Sequence, residues 1–337
     1  MELIFWIIIF LVSLVAMVKG ADWMLVAAEK IGLALGLSSF IVGVVIVGLG
    51  TSFPEVIASF AALLQGAPEI VAANVIGSNI ANILLVVGLS AVVGGRLAVT
   101  KNLIDLDLPL LAIASALFLE IVWDKQIVFA EAVLLLIMFV IYLAYTIIHR
   151  ETVGTEANGN GDEPTEHTPT RAERRKLKTA EGEVTERPKI GVKDIGLFLV
   201  GLAGLVIGAN YLIESVITLS KILNIAPGAI SLAAVALGTS LPELLVSIRA
   251  AWQKKPEVAL GNIFGSNVFN ILLVAGLPGL FSTLPVDEQT FALGLPIMLI
   301  ATVLFIISGI SRRIHVYEGA MYVVISIFFV GRLFGLF

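Results

Sequence analysis

Ten apolar runs, most of them close to the length of a membrane span, recur along this chain of 337 residues and leave few folds open to it. They lie near 3–31, 39–65, 69–94, 106–123, 127–148, 193–222, 226–252, 257–281, 290–310 and 316–336. A helix needs ~20 apolar residues to cross ~30 Å of hydrocarbon. In lipid, backbone N–H and C=O groups must be satisfied within the segment, which helices achieve. Composition agrees: 58% of residues are apolar and 14% charged, against about 45–50% and 25% in soluble domains. The reading is an all-α membrane protein with ten transmembrane helices. The first and sixth runs are long and require tilt or protrusion. The second, third, seventh and eighth are interrupted by Gly, Pro, Ser, Thr and Asn, which predicts broken helices in the core.

Lys and Arg orient the chain. Lys30, Arg96, Lys101, the middle loop, Lys254, Lys255, Arg312 and Arg313 fall in one set of connections, whereas the other set holds Lys125, Lys221 and Arg332. The positive-inside rule places the richer set in the cytoplasm. Both termini then face outside, and the protein sits in the cell membrane. Met1 and Glu2 are followed at once by apolar residues and the first Lys is Lys19, so the opening run lacks the basic start of a signal peptide and reads as a helix. Trp6, Trp23, Trp123 and Trp252 fall near span ends, where indole rings anchor.

Residues 149–192 are rich in Gly, Glu, Thr, Pro, Lys and Arg and cannot bury a core. They read as a charged cytoplasmic loop between a first half, 1–148, and a second, 193–337. Its basic residues Arg171, Arg174, Arg175, Lys176 and Lys178 could touch anionic lipid, although a solvated linker explains the composition as well. There is no Cys, which removes disulfides and thiol chemistry. His149, His167 and His315 lie in loops or at span ends without second ligands nearby. No nucleophile–base pair sits at mid-membrane, so neither an enzyme nor a bound cofactor is expected. Nothing points to nucleic acid as a partner.

An internal repeat sharpens the picture. Gly50-Thr51-Ser52-Phe53-Pro54-Glu55 recurs as Gly238-Thr239-Ser240-Leu241-Pro242-Glu243, and Asn74 to Asn82 recurs as Asn262 to Asn270. The offset is 238 − 50 = 188 for the first and 262 − 74 = 188 for the second, and Gly20-Ala21 matches Gly208-Ala209 at the same distance. Each half carries five spans, an odd number, so the second half enters from the opposite side. Two inverted five-helix repeats are the architecture of many secondary transporters, with the substrate held where broken helices meet.

The repeated residues suit a cation. A carboxylate at mid-bilayer costs at least ~2.5–3.5 kcal/mol, and no Lys or Arg lies mid-span near Glu55 or Glu243. Pro54 and Pro242 remove helical N–H groups and free the carbonyls of Gly50 and Gly238. Thr51 and Glu55, spaced i and i+4, would share a helix face, and Ser52 and Ser240 add hydroxyls. Asn74, Ser78 and Asn82, matched by Asn262, Ser266 and Asn270, form stripes that either line a cavity or glue helices together. Gly77 and Gly265 permit close helix contact. Carboxylates, carbonyls, hydroxyls and amides make an all-oxygen set that suits Ca²⁺ and Na⁺ better than soft metals or Mg²⁺.

The paired G-T-S-x-P-E and N-x-x-G-S-N-x-x-N motifs resemble the α-repeats of the Ca²⁺/cation antiporter superfamily, nearest to its prokaryotic Na⁺/Ca²⁺ exchanger branch. The resemblance covers the four core spans and the ten-span layout, not the middle loop. It implies Na⁺/Ca²⁺ antiport by alternating access, with the first and sixth helices sliding over a fixed core. It also implies a central Ca²⁺ site at Glu55 and Glu243 with oxygens from Thr51 and Thr239. Flanking Na⁺ sites would use Ser52, Ser78, Ser240, Ser266 and the carbonyls of Gly48 and Ala236, with Asn82 and Asn270 beside the centre. Three Na⁺ would return per Ca²⁺. Some relatives, K⁺-dependent exchangers among them, carry an acid where this chain has Asn270, which argues against K⁺ coupling, and G-T-S-x-P-E favours Na⁺ over H⁺. An H⁺/Ca²⁺ exchanger and, more distantly, a cation channel remain the alternatives. Ala73 replaces a Gly that the second half keeps as Gly261.

Overall fold

A computed structural model describes residues 2–35, 50–99, 103–156 and 190–336, and their side chains except those of 106 and 147–156. The expected second span is therefore described only from Gly50. The chain order is α1 (Glu2–Ala34), α2 (Phe53–Leu64), α3 (Glu69–Gly94), β1 (Arg96–Ala98), α4 (Leu103–Asp124), β2 (Gln126–Ile127) and α5 (Phe129–Glu156). It continues with α6 (Val192–Leu223), α7 (Pro227–Thr239), α8 (Leu241–Trp252), α9 (Pro256–Gly279), β3 (Leu284–Pro285), α10 (Thr290–Ile310), β4 (Arg313–His315) and α11 (Val316–Leu333). Among the described residues, eight helices are long and apolar enough to cross a membrane, or nine if α7 and α8, bent by 45° at their junction, are counted together as one span. Helix α2 is apolar but shorter.

Polarity is turned inside out relative to a soluble protein. Ile, Leu, Val and Phe side chains of α1, α5, α6, α10 and α11 are exposed, while Ser, Thr, Asn and two Glu side chains are buried at the centre. Helix α3 forms the axis: 94% of its most apolar window is buried, against 22% for α1. Both α3 and α9 change from α to π winding at equivalent places, Ala81–Val87 and Asn270–Val274. A π turn widens the helix by one residue and often marks a functional site. Here it falls at Asn82 and Asn270.

The two long helices cross backbone to backbone. A Cβ added to Gly20 would strike the main chain of Gly201 and Leu205, and one added to Gly208 would strike that of Ser13 and Met17. Small residues permit this approach, and dispersion contacts hold it in a solvent as apolar as the side chains. The connections pair across the halves: β1 with β4 in the register Arg96↔His315, and β2 with β3 in the register Gln126↔Pro285. Trp23, Trp123 and Trp252 are exposed, as ring anchors require, whereas Trp6 is partly buried against Phe5.

Candidate cation site

Two half-helices begin at the same kind of break. Ser52 (φ −92°, ψ 6°) precedes α2 and Ser240 (φ −81°, ψ 7°) precedes α8, each with proline in the first turn. Proline lacks the N–H that would continue the preceding helix, so the chain turns and restarts. That restart aims Glu55 and Glu243 inward, and both are 0% exposed. It also changes one expectation. With a break between Thr51 and Glu55, their i, i+4 spacing no longer sets a common face. Thr51 reaches Glu243, and Thr239 reaches Glu55.

The serines make the same exchange. Ser52 Oγ donates to Glu243 Oε1 at 3.2 Å, and Ser240 Oγ donates to Glu55 Oε1 at 3.4 Å. Ser266 Oγ, from the same half as Glu243, donates a second bond to Glu243 Oε1 at 3.4 Å. Neither carboxylate is ion-paired with Lys or Arg among the described residues. The second oxygen of each, Oε2, is buried without a protein partner, as are Ser78 Oγ and both amide atoms of Asn82 and of Asn270. Buried polar atoms nearly always find partners, because leaving one bare costs ~1–3 kcal/mol. So many bare oxygens around two carboxylates form a donor set for a hard cation.

The polar stripes divide by role. Asn74 Nδ2 donates to the Glu55 carbonyl and Ser59 Oγ, both at 3.3 Å. Asn262 repeats this with the Glu243 carbonyl at 3.5 Å and Ser247 Oγ at 3.1 Å. These asparagines tie each half-helix to its neighbour, which is the gluing role. Ser78, Asn82 and Asn270 keep free atoms inside. The motifs do not single out Ser59 and Ser247, although their separation, 247 − 59 = 188, carries the repeat signal.

The Ala236 carbonyl accepts from Ser240 N–H at 3.1 Å and from Thr239 Oγ1 at 3.3 Å. The Thr239 hydroxyl has a single proton, which it gives either to this carbonyl or to Glu55. Gly48 lies outside the described residues. Leu25 of α1 covers Gly50, and Leu14 covers Gly238, so a methyl group at either glycine would collide with α1. Gly77 packs tightly on the Leu232 carbonyl and Ala236, as expected. Gly265 does not: a methyl group there would find its nearest neighbour among the described residues in the Tyr142 hydroxyl, 3.8 Å away.

Residues 5–148 and 193–335 match the family model of the sodium/calcium exchanger protein. The chain belongs to that family. Among curated relatives, the sodium/calcium exchanger MaX1 of Methanosarcina acetivorans is 34% identical, with 98% of each chain covered. The inner membrane protein YrbG of Escherichia coli is 28% identical over 88% of this chain and 86% of its own. Among solved structures, the sodium-calcium exchanger NCX_Mj superposes with a TM-score of 0.60 at 28% identity, covering 97% of both chains. That exchanger was soaked with Na⁺ and Sr²⁺ in a study of extracellular ion exchange and induced binding-site occlusion. The family match leaves out the charged stretch 149–192, into which α5 runs as far as Glu156 and of which 157–189 lie outside the described residues, and takes in both copies of the glutamate motif.

Proposed function

We propose that this exchanger-family protein moves Ca²⁺ across the cell membrane in exchange for Na⁺ by alternating access. The observation that carries this reading is the pair of buried carboxylates, each held by a serine of the opposite half and each with a bare oxygen. The proposal includes ten spans in two inverted five-helix repeats, both termini outside and the 149–192 loop in the cytoplasm. The constant repeat offset of 188 residues, the exchange of contacts about the site and the positive-inside count support it.

The chemistry follows from charge. A bare Ca²⁺ loses its water on leaving solution, and the site replaces that shell with oxygens. Glu55 and Glu243 supply two negative charges, and Thr51, Thr239, Asn82 and Asn270 supply neutral oxygen. The Ca²⁺ form is then +2 − 2 = 0 and crosses low-dielectric surroundings without a net charge. Ser52, Ser78, Ser240 and Ser266, with the Gly48 and Ala236 carbonyls, would hold Na⁺ around the same carboxylates. Na⁺ at Ala236 O turns the Thr239 proton toward Glu55, which links occupancy to the shape of the α7–α8 break. One set of carboxylates serving both cations makes binding competitive, and competition at one site is what an antiporter requires.

The test is Ca²⁺ uptake into proteoliposomes with a Na⁺ gradient, a pH gradient or neither. Uptake driven by Na⁺ alone is expected. Uptake driven equally by the pH gradient would replace Na⁺ with H⁺ as the coupling ion, and uptake independent of both would indicate a channel.

A further inference from the structure

The two strand ribbons are counterparts in the repeat, and they differ in charge. At the 188-residue offset β1 corresponds to β3 and β2 to β4, since 96 + 188 = 284 and 126 + 188 = 314. In the ten-span arrangement the ribbons lie on opposite membrane faces. The β2–β3 ribbon is neutralised: Lys125 is ion-paired with Glu288 and stands over the Phe291 ring. The β1–β4 ribbon is not. Buried Leu97 and Ile314 hold it to the protein, while Arg96, Arg313 and His315 are exposed. The register Arg96↔His315 makes Arg96 a diagonal neighbour of Arg313 on one face, a spacing of ~7–8 Å. Neither arginine, nor Arg312 beside them, has an ion pair among the described residues. The carboxylate of Glu318, the acid nearest this ribbon in the chain, accepts from the His315 backbone N–H at 2.7 Å.

The α8–α9 turn adds a lysine where its counterpart has glycine. Lys254 has φ +59°, and its equivalent, at 254 − 188, is Gly66 with φ +70°. That left-handed conformation is open to glycine and unfavourable for a residue with a Cβ. Lys254 is held in it with Nζ on the Gly94 carbonyl at 2.8 Å, two residues before β1. An ammonium has three N–H groups, so this bond leaves two to offer. It too has no ion pair among the described residues. Two aromatic rings flank the patch: Trp252, 75% exposed, lies two residues before Lys254, and Tyr317, 82% exposed, two after His315. Such rings at span ends sit at the level of lipid headgroups. The ribbon itself does not call for bases, because the positions matching Arg96, Arg312 and His315 are Leu284, Asp124 and Ile127.

We propose that Arg96, Arg313 and Lys254 bind the phosphate of an anionic phospholipid in the cytoplasmic leaflet. Arginine meets phosphate oxygens in pairs with its planar fork, and basic patches on the cytoplasmic side of membrane helices recognise anionic headgroups. The flanking rings single out a lipid over free phosphate, because they set the patch at headgroup depth. A headgroup held there ties the connection after α3 to the one between α10 and α11. It therefore steadies the helix that carries Ser78 and Asn82. The proposal rests on the orientation given above and not on which ions are exchanged.

The experiment counts lipid bound to the purified full chain by native mass spectrometry during titration with phosphatidylglycerol, phosphatidylcholine or inorganic phosphate. Phosphatidylglycerol is expected to bind roughly tenfold or more tightly than phosphatidylcholine, and inorganic phosphate does not displace it. Arg96→Gln combined with Arg313→Gln should weaken phosphatidylglycerol binding by roughly tenfold or more, at about fivefold per charge. Lys254→Gly should weaken it by about fivefold. That variant relieves the left-handed lysine, so its thermal midpoint in detergent stays at or above that of the unaltered chain, and misfolding does not explain the loss. Lys125→Gln, on the counterpart ribbon, stays within about twofold, as an exposed ion pair contributes little. No preference for phosphatidylglycerol, displacement by inorganic phosphate, or an equal loss in Lys125→Gln overturns the proposal and leaves Na⁺/Ca²⁺ exchange untouched. The orientation is checked separately with Arg313→Cys, in a chain that has no other cysteine. A membrane-impermeant maleimide should label it in inverted vesicles only. Labelling in right-side-out vesicles overturns the orientation, and the cytoplasmic leaflet with it.

Discussion

Helices α2 and α8 carry the same motif, start at the same serine turn and are tied by the same asparagine, yet they are covered differently. On α2, Val56, Ala58 and Ala61 are all buried. Their equivalents on α8, Leu244, Val246 and Arg249, are partly or fully exposed. Helix α6 lies along α2 and accepts the Gln65 side chain at Asn210. The matching residues of the other half are Gln253 and Asp22, at 65 + 188 and 210 − 188. These do not bond to each other, and Asp22 instead lies 3.4 Å from Lys19. The contrast separates two jobs. Residues within about one turn of the breaks set the chemistry of the site and match in both halves. The position of the α1–α6 pair sets which half-helix is covered, and it does not match. A transporter needs this separation, because its site must persist while its cover changes.

The sharpest way to break the equivalence of the two breaks is to neutralise each carboxylate. Glu55→Gln and Glu243→Gln keep the volume and remove the charge. Each is expected to lower Ca²⁺ transport by roughly a hundredfold or more, equivalent to about 3 kcal/mol of lost cation binding. The losses should be alike, although Glu243 receives three serine and threonine contacts where the packing around Glu55 differs. Uptake by purified, monodisperse Gln variants is the measurement. Normal uptake by one of them would mean that only half of the repeated site handles the ion.

The inequality of cover can be tested with cysteines, because the chain has none of its own. The pair Gln65→Cys with Asn210→Cys replaces side chains already in hydrogen-bond contact, and should crosslink under mild oxidation. The pair Gln253→Cys with Asp22→Cys should crosslink at least about tenfold more slowly, since disulfides need Cα atoms within ~7 Å. Equal rates would show that the long helices visit both half-helices evenly.

Much of the site is legible in the sequence, and the limits have physical causes. The glutamates, the serines and the bare asparagines at 82 and 270 stand out because polar groups in an apolar run must have partners, and an offset of 188 residues names them twice. The family resemblance points to the same positions. The exchange of partners is not legible. Thr51 faces Glu243, and not Glu55, because a helix break resets the side-chain register, and no spacing rule reaches across a break. Nor can a sequence say which asparagines glue and which stay free. Asn74 and Asn82 share one stripe, and only the height of the neighbouring Glu55 carbonyl and Ser59 decides that the first is engaged. The unequal cover of α2 and α8 depends on where the α1–α6 pair sits, and a repeat offset says nothing of that position.

The gluing asparagines offer a milder probe that should again come out equal. Asn74→Ala strands the Glu55 carbonyl and Ser59, and Asn262→Ala strands the Glu243 carbonyl and Ser247. Each should destabilise the folded protein by about 1–2 kcal/mol, read as a drop in thermal midpoint in detergent. A loss of ion affinity without a loss of stability would move Asn74 or Asn262 from the scaffold into the site.

The smallest expected effect tests an inequality inside the site. Ser266 Oγ donates to Glu243 Oε1, whereas its equivalent, Ser78 Oγ, is buried without a partner. A hydroxyl can donate its proton and still offer a lone pair to a cation. Ser266 is therefore held in position before an ion arrives, while Ser78 must be ordered by the ion it binds. Removing Ser266 loses both a prepositioned ligand and a hydrogen bond, and removing Ser78 loses a ligand alone. Interhelical hydrogen bonds in membranes average about 0.6 kcal/mol, which is roughly a threefold change in binding. Ser266→Ala should accordingly raise the half-saturating Na⁺ concentration for Ca²⁺ release by about threefold more than Ser78→Ala does. The measurement is Ca²⁺ efflux from loaded proteoliposomes against external Na⁺. If Ser78→Ala has the larger effect, the hydrogen bond at Ser266 competes with Na⁺ instead of preparing for it, and the site with more bonds in this conformation is the weaker ion site.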